Sequence, residues 1–210
     1  VLVLDDDAFL DDGFLSLARD ILLNQKVDCI SGIIIDPITN KKIHRTVKEI
    51  SSPILISDYN QWLSSATIVK KREIDKAGGY DEDFGVGSLY PSSEDTDLFF
   101  RLLLNGLQAY FCKDLIVYHP CEKDRISKMS FKQKIKRGFE YGLGRGAVLR
   151  KLARISPEKK LWALKHLIIN LFFAIAGCIH SLFRLFFSGS IKDFASLLGR
   201  LYGYIIYSQS

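Results

Sequence analysis

Val1-Leu2-Val3-Leu4-Asp5-Asp6-Asp7-Ala8-Phe9-Leu10 decides how this chain is read. Four apolar residues run directly into three carboxylates. The apolar run predicts a strand buried on both faces, in a parallel or mixed sheet. The acids then stand at its carboxyl end, where open α/β sheets place their ligands. Alternate side chains of an extended chain point the same way, so Asp5 and Asp7 share one side and Asp6 takes the other. Two carboxylates on one side suit a hard divalent cation that also holds a phosphate. A single Asp would do no more than stop the strand in a turn. Three adjacent carboxylates repel one another, and a fold keeps that cost when a cation or a donor cluster offsets it.

Working outward, Asp11-Asp12-Gly13 predicts a helix start with Asp12 as its cap. Phe14, Leu15, Leu17, Ala18, Ile21 and Leu22 then form an apolar stripe at helical spacing. Residues 29–35 read as a strand, 36–40 as a turn, and 41–50 as a solvent-facing excursion. His44 lies in that excursion and is assigned no role. Residues 64–69 read as a strand, and 71–77 as a short helix stopped by Gly78-Gly79. Tyr80-Asp81-Glu82-Asp83-Phe84-Gly85-Val86-Gly87 is a polar loop whose glycines allow close approach to a ligand. A helix follows, with Ser93 as its cap and Glu94, Asp95 and Asp97 in its first turn, where the helix dipole favours acids. For Asp97 that service to the helix end is a sufficient role. Leu98, Phe99, Leu102 and Leu103 are expected to face the core, and Gly106 to end the helix. Two strands, 108–112 and 115–118, lead to His119-Pro120.

The 210 residues, 48% of them apolar, allow one domain with a real core and something more. Charge is uneven. Residues 123–160 hold thirteen Lys or Arg against three Asp or Glu, while the whole chain is +5, so the remainder is net acidic. An acidic half followed by a basic half suggests a phosphate-rich partner surface for the second. Nucleic acid is not that surface, since no nucleic-acid-binding fold or interleaved stacking platform is present. Cys29, Cys112, Cys121 and Cys178 form no CxxC pair and no zinc spacing. Cys29, Cys112 and Cys178 lie in apolar surroundings and read as buried thiols in reducing, cytoplasmic conditions.

Gly138-Phe139-Glu140-Tyr141-Gly142-Leu143-Gly144-Arg145-Gly146 follows no strand and carries no GKS or GKT, so it is neither a dinucleotide nor a P-loop fingerprint. Its glycines either let two backbones pack closely or break a helix. Residues 167–183 then contain no Asp, Glu, Lys or Arg, which is short of the roughly 20 residues of a spanning helix. Residues 194–207 are apolar, rich in Tyr, and carry Arg200. Two helices lying in a membrane interface, or forming a shallow hairpin, fit this pattern. A soluble helical subdomain or a dimer face is the alternative. His166 and His180 read as hydrogen-bonded structural residues of these helices.

Four pieces recur in order: Asp5-Asp6-Asp7; Gly78-Gly79-Tyr80-Asp81-Glu82; Glu94-Asp95-Thr96-Asp97-Leu98; and Tyr118-His119. Together they resemble the inverting family 2 glycosyltransferases of the GT-A fold, over about residues 1–120. The resemblance implies an α/β fold, a GT-A-type mixed sheet flanked by helices, over residues 1–122. A basic helical linker at 123–160 and apolar membrane-associated helices at 161–210 then make an all-α C-terminal region. It implies Asp7 as a direct ligand of Mn²⁺ or Mg²⁺, with Asp5 or Asp6 facing the nucleotide ribose or a metal-bound water. His119 matches a position that completes such metal sites. Asp95 is the expected general base, with Glu94 second. The implied reaction moves a sugar from a nucleoside-diphosphate sugar to a hydroxyl of a glycan or polyprenyl-linked acceptor, at the cytoplasmic face of the membrane. Such enzymes begin with a βαβ-type half that binds the nucleotide base, and a βαβ unit takes ~30 residues or more. The resemblance therefore implies an N-terminal half outside this sequence.

Two other readings compete. Leu2-Val3-Leu4-Asp5-Asp6-Asp7 resembles the nucleophile strand of haloacid-dehalogenase-type phosphatases, whose pattern needs Thr or Val where this chain has Phe9. A non-catalytic, membrane-attached binding or scaffolding subunit would keep the acids for reasons of fold alone.

Overall fold

A computed structural model describes residues 1–43, 48–120, 128–183 and 187–207. His44, Cys121, Lys123, Arg125 and Arg184 lie outside the described residues, as do the side chains of Cys178 and His180. The chain divides into two units. The first is Val1–Gly79 with Leu98–Lys123, and the second is Tyr80–Asp97 with Asp124–Ser210.

The first unit is α/β, as expected. Its strands are β1 (Leu2–Val3), β2 (Phe9–Leu10), β3 (Cys29–Asp36), β4 (Lys41–Lys42), β5 (Ser52–Pro53), β6 (Thr67–Val69) and β7 (Ala109–Tyr118). They form one mixed sheet in the order β1-β6-β3-β7-β2, with β4 on β3 and β5 on β7. The β3–β7 pair is parallel and the other pairs are antiparallel. The central strand β3 is the apolar run Cys-Ile-Ser-Gly-Ile-Ile-Ile, and Cys29, Ile30 and Ile33 are buried there with Phe111, Leu115 and Val117 of β7. Burial also pushes the Cys29 thiol well up. Cys112 is likewise buried and free.

The opening stretch departs from expectation. Only Leu2 and Val3 are strand, and Val1, Val3 and Leu4 are exposed. The cause is position: β1 is an edge strand paired only with β6. The chain then reverses tightly, the Ala8 amide donating to the Asp5 carbonyl at 3.1 Å, and enters β2 at the opposite edge. The three acids therefore lie on a crossing from one sheet edge to the other.

Helix α1 (Phe14–Asn24) starts at Gly13, whose φ of 81° makes it the cap in place of Asp12. Phe14 and Ala18 are buried, whereas Leu15 of the expected stripe is 64% exposed. Helix α2 (Lys71–Lys76) ends as its glycines predict. Gly78 and Gly79 both have positive φ, and the Gly79 amide donates to the Ile74 carbonyl. Residues 64–66 form a 3₁₀ turn before β6, where a longer strand was expected.

The two strands expected at 108–112 and 115–118 are one strand, β7. Its register against β3 jumps from Ser31–Phe111 to Ile33–Ile116, so β7 carries an excess of residues opposite Gly32. A Cβ on Gly32 would stand 2.1 Å from the Leu115 carbonyl oxygen. Glycine is thus what admits the bulge. Gly32→Ala is expected to cost about 1–3 kcal/mol of stability, read by urea unfolding. An unchanged midpoint would contradict this approach of the two backbones.

Helix α3 (Glu94–Leu104) contains the boundary between the units, its first four residues belonging to the second. In the first unit Leu98, Phe99, Phe100 and Leu102 are buried, and Leu103 is only half-buried. Trp62 stacks on Phe99 at 4.5 Å, and Tyr59 meets Phe100 at 5.8 Å. Gly106, at φ 87°, ends the helix.

The second unit is helical. It comprises α4 (Phe131–Ile155), α5 (Lys160–Phe183) and α6 (Phe187–Ile206), with the loop before α3. Ser130 caps α4 in a reciprocal box with Gln133. The glycine-rich stretch does not break α4. Gly138, Gly142 and Gly146 fall one turn apart and face the α6 backbone at Lys192, Ser196 and Arg200. Gly199 and Gly203 of α6 return the fit against Phe139 and Leu143. Leu149, Ala153, Ala163 and Leu167 form the core between α4 and α5, with Trp162, Leu171 and Tyr204 against it. His166 stacks on Trp162 at 3.7 Å and donates from Nδ1 to the Trp162 carbonyl, the structural role expected of it.

Candidate functional site

The acidic crossing and the end of β7 meet. Tyr118 closes β7, and the following His119 donates its amide to the Ile35 carbonyl of β3 at 3.0 Å. His119 thus stands at the carboxyl ends of the parallel β3–β7 pair. Its Nε2 lies 3.1 Å from Asp5 Oδ2 and 3.1 Å from Asp7 Oδ1. Ser65 Oγ donates to Asp5 Oδ2 at 2.6 Å. His119 is largely covered, while Asp5 and Asp7 are about half-exposed, so the cluster opens to solvent on its acidic side. Asp6 is exposed, and because Asp5–Ala8 is a turn and not extended strand, the meeting of Asp5 and Asp7 at His119 comes from the turn and not from the strand alternation expected of them.

The donor chemistry suits a hard cation: two carboxylate oxygens and one imidazole nitrogen. In the described residues these atoms point at one another. Among the described residues no group of three or more His, Cys, Asp or Glu side chains is placed to hold a metal ion. The oxygens of Asp5 and Asp7 converge on one point, and the imidazole nitrogen fills it. Nearby, Tyr118 donates to Asp11, and this bond and its charge push the phenol up. Phe9 of β2 stacks on the Tyr118 ring at 5.1 Å.

Glu94 and Asp95 belong to the second unit, at the first turn of α3. Tyr80 donates its hydroxyl to Asp95 Oδ1 at 3.2 Å. Burial, then the charge and hydrogen bond of Asp95, push the Tyr80 phenol up to about 12, so Tyr80 is a donor at neutral pH. Glu94 is half-buried beside Asp95, and Gly85 lies against its side chain. Burial first, and the Asp95 charge after it, raise the proton affinity of the Glu94 carboxyl. A carboxyl raised on folding contributes stability that is fully present below the unfolded value and is lost as pH rises through the folded one. Glu94→Gln is therefore expected to stabilise the protein at neutral pH and to lose that advantage below about pH 4.3, the ordinary glutamate value. Melting temperatures compared across pH 3–8 read this directly. A variant less stable than wild type at neutral pH would contradict the raised affinity.

Two further groups carry structure that sequence reasoning missed. Asp97, read as serving the helix end, is 2% exposed and lies 2.6 Å from Lys151 Nζ. Lys151, counted in the basic run, is itself buried and also reaches Asp81 at 2.5 Å. Charge counting treats every Lys alike, so nothing in the run marked this one as internal. Ser65 and Tyr80 lay in stretches named only as strand and loop. Residues so distant in sequence give no local sign that they will meet a carboxylate. No known protein family matches the chain, and no curated protein matches it.

Proposed function

We propose that the chain carries part of the catalytic domain of a metal-assisted, inverting glycosyltransferase of family 2 and GT-A fold, followed by a membrane-associating tail. The observation that supports this most is the meeting of Asp5, Asp7 and His119 at the carboxyl ends of β3 and β7.

In this reading Asp7, Asp5 and His119 would hold Mn²⁺ or Mg²⁺. When bound, the cation neutralises the nucleoside diphosphate as it leaves. Asp95 accepts the proton of the acceptor hydroxyl while that oxygen bonds to the anomeric carbon of the sugar. The bond from that carbon to the diphosphate oxygen breaks on the opposite face, and its electron pair departs with the diphosphate. One displacement inverts the anomeric configuration and needs no nucleophile on the protein. Tyr80 orients Asp95 by its hydrogen bond, and Glu94, with its raised proton affinity, is the second candidate for the base.

The tail supports a lipid-linked acceptor. Residues 157–177 form the one stretch among those described that is long and apolar enough to cross a membrane. On α5, Phe172 and Phe173 are 66% and 67% exposed, and on α6 Ile205 is 74% exposed. Lys132, Lys136 and Arg145 are exposed on the preceding helix. Basic side chains near an anionic leaflet contribute ~1 kcal/mol each. A glycan carried on polyprenyl diphosphate at the cytoplasmic face would present both an apolar chain and phosphates to this tail.

The test supplies the full-length protein with membranes bearing lipid-linked acceptor, Mn²⁺ and a panel of UDP-, GDP- and dTDP-sugars. Glycolipid product that requires both metal and donor supports the transferase. Hydrolysis of a phosphomonoester without sugar transfer would favour the phosphatase reading. Metal binding through Asp7 with no turnover of any donor would favour the non-catalytic subunit.

A further inference from the structure

Among the described residues of the basic run, Lys151 is the buried lysine. Lys151 projects from α4 into the second unit, with a side chain only 8% exposed. Its ammonium contacts two carboxylates, Asp81 at 2.5 Å and Asp97 at 2.6 Å, and lies 5.1 Å from the centre of the Phe84 ring. Tyr207, at the end of α6, packs on Tyr90 at 5.4 Å and near Phe84 at 6.2 Å, with the Arg154 guanidinium over its ring. One cation thus joins the loop after Gly79 to the first turn of α3.

The positions of its two partners matter. Asp81 directly follows Tyr80, and Asp97 lies two residues after Asp95. Tyr80 and Asp95 are themselves joined by a hydrogen bond at 3.2 Å. A ring of contacts results: Lys151 to Asp81, along the chain to Tyr80, across to Asp95, along α3 to Asp97, and back to Lys151. Asp81 is gripped from both sides, because its other oxygen accepts the Asp83 amide at 2.9 Å and its carbonyl accepts the Phe84 amide. Replacing a buried ion pair by apolar side chains of like volume is often neutral for stability. A geometric role for this charge is therefore open to test separately from any contribution to stability.

We propose that Lys151 is a positioning residue for the proposed base. Through Asp81 and Asp97 it sets the Tyr80–Asp95 hydrogen bond and so fixes the direction of the Asp95 carboxylate. This inference rests on the reading of Asp95 as the base. It assigns to the C-terminal helices a part in the chemistry beyond attachment to a membrane.

The test uses the full-length protein and three forms: wild type, Lys151→Arg, and Lys151→Met with Asp97→Asn. The double variant removes one charge of each sign, so the ring opens while the net charge of the cluster stays the same and Asp81 keeps its bond from the Asp83 amide. Two quantities are read. The first is hydrogen exchange at the amides of Asp83 and Phe84, and the second is kcat and donor KM separately. The expected result for the folded double variant is exchange at least tenfold faster at these amides, kcat at least tenfold lower, and donor KM unchanged. Lys151→Arg, which keeps the charge, should recover part of both. Wild-type exchange at Asp83 and Phe84 in the double variant would overturn the proposal, whatever the activity. Faster exchange with wild-type kcat would also overturn it. If the wild type transfers no sugar from any donor, the base reading fails and the inference about catalysis falls with it. The exchange comparison would then still decide whether Lys151 holds the loop.

Discussion

Gly142→Val is expected to be among the most damaging single changes in the second unit. The α4 and α6 backbones approach closely along five glycines. A Cβ on Gly142 would stand 2.1 Å from the Ser196 carbonyl oxygen, and one on Gly203 2.0 Å from that of Leu143. These obstacles are main-chain atoms of rigid helices, which cannot swing aside as a side-chain tip can. Small residues one turn apart are what allow helices to meet this closely. A valine must separate them, at the upper end of the ~1–3 kcal/mol typical of overpacking or beyond it. Gly177→Ala is the matched control. Its Cβ would meet only the Asp193 carboxylate, at 3.2 Å, and alanine is favoured over glycine in a helix by about 0.8–1.0 kcal/mol. Thermal unfolding by circular dichroism should separate the two variants clearly. Equal melting temperatures would mean that the glycines do not set the contact.

Asp95→Asn is expected to lower sugar transfer by about 10²–10⁴-fold, the usual worth of a positioned acid or base. The change keeps the shape of the side chain and its ability to accept from Tyr80, so the fold should persist. It removes the group that takes the acceptor proton. The fall should appear in kcat, with donor KM little changed, because the acceptor's proton moves only in the transition state. Glu94→Gln measured alongside separates the two candidates for the base. A larger loss there than at Asp95 would transfer the role to Glu94, whose raised proton affinity already suits it.

How much of this was legible in the sequence depends on the range of the interaction involved. Strand β3 could be read because eight residues of mostly apolar character specify it locally, and α2 because two glycines stop it. The exposure of Val1, Val3 and Leu4 could not be read. Whether an apolar run is central or at an edge is decided by strands far away in the chain, here by β6. The same holds for β7, where the break expected near Lys113-Asp114 is absorbed as a bulge that only Gly32 of β3 can accommodate. The two options for the glycine run, close packing or a broken helix, were resolved by partners some fifty residues on. Gly199 and Gly203 repeat the same one-turn spacing on the facing helix. At the candidate site, residue type and order marked Asp5, Asp7, His119, Glu94 and Asp95. The supporting side chains Ser65, Tyr80, Asp97 and Lys151 were not marked for these contacts, because their role exists only in the folded contact.

The most direct measurement is the anomeric configuration of the product. Full-length protein, Mn²⁺, membranes with lipid-linked acceptor and each nucleotide sugar are incubated, and the new glycosidic linkage is assigned by proton NMR beside released nucleoside diphosphate. A linkage of inverted configuration, formed one-for-one with diphosphate and absent in Asp7→Ala, is the predicted result. Retained configuration, or undiminished transfer by Asp7→Ala, would contradict it.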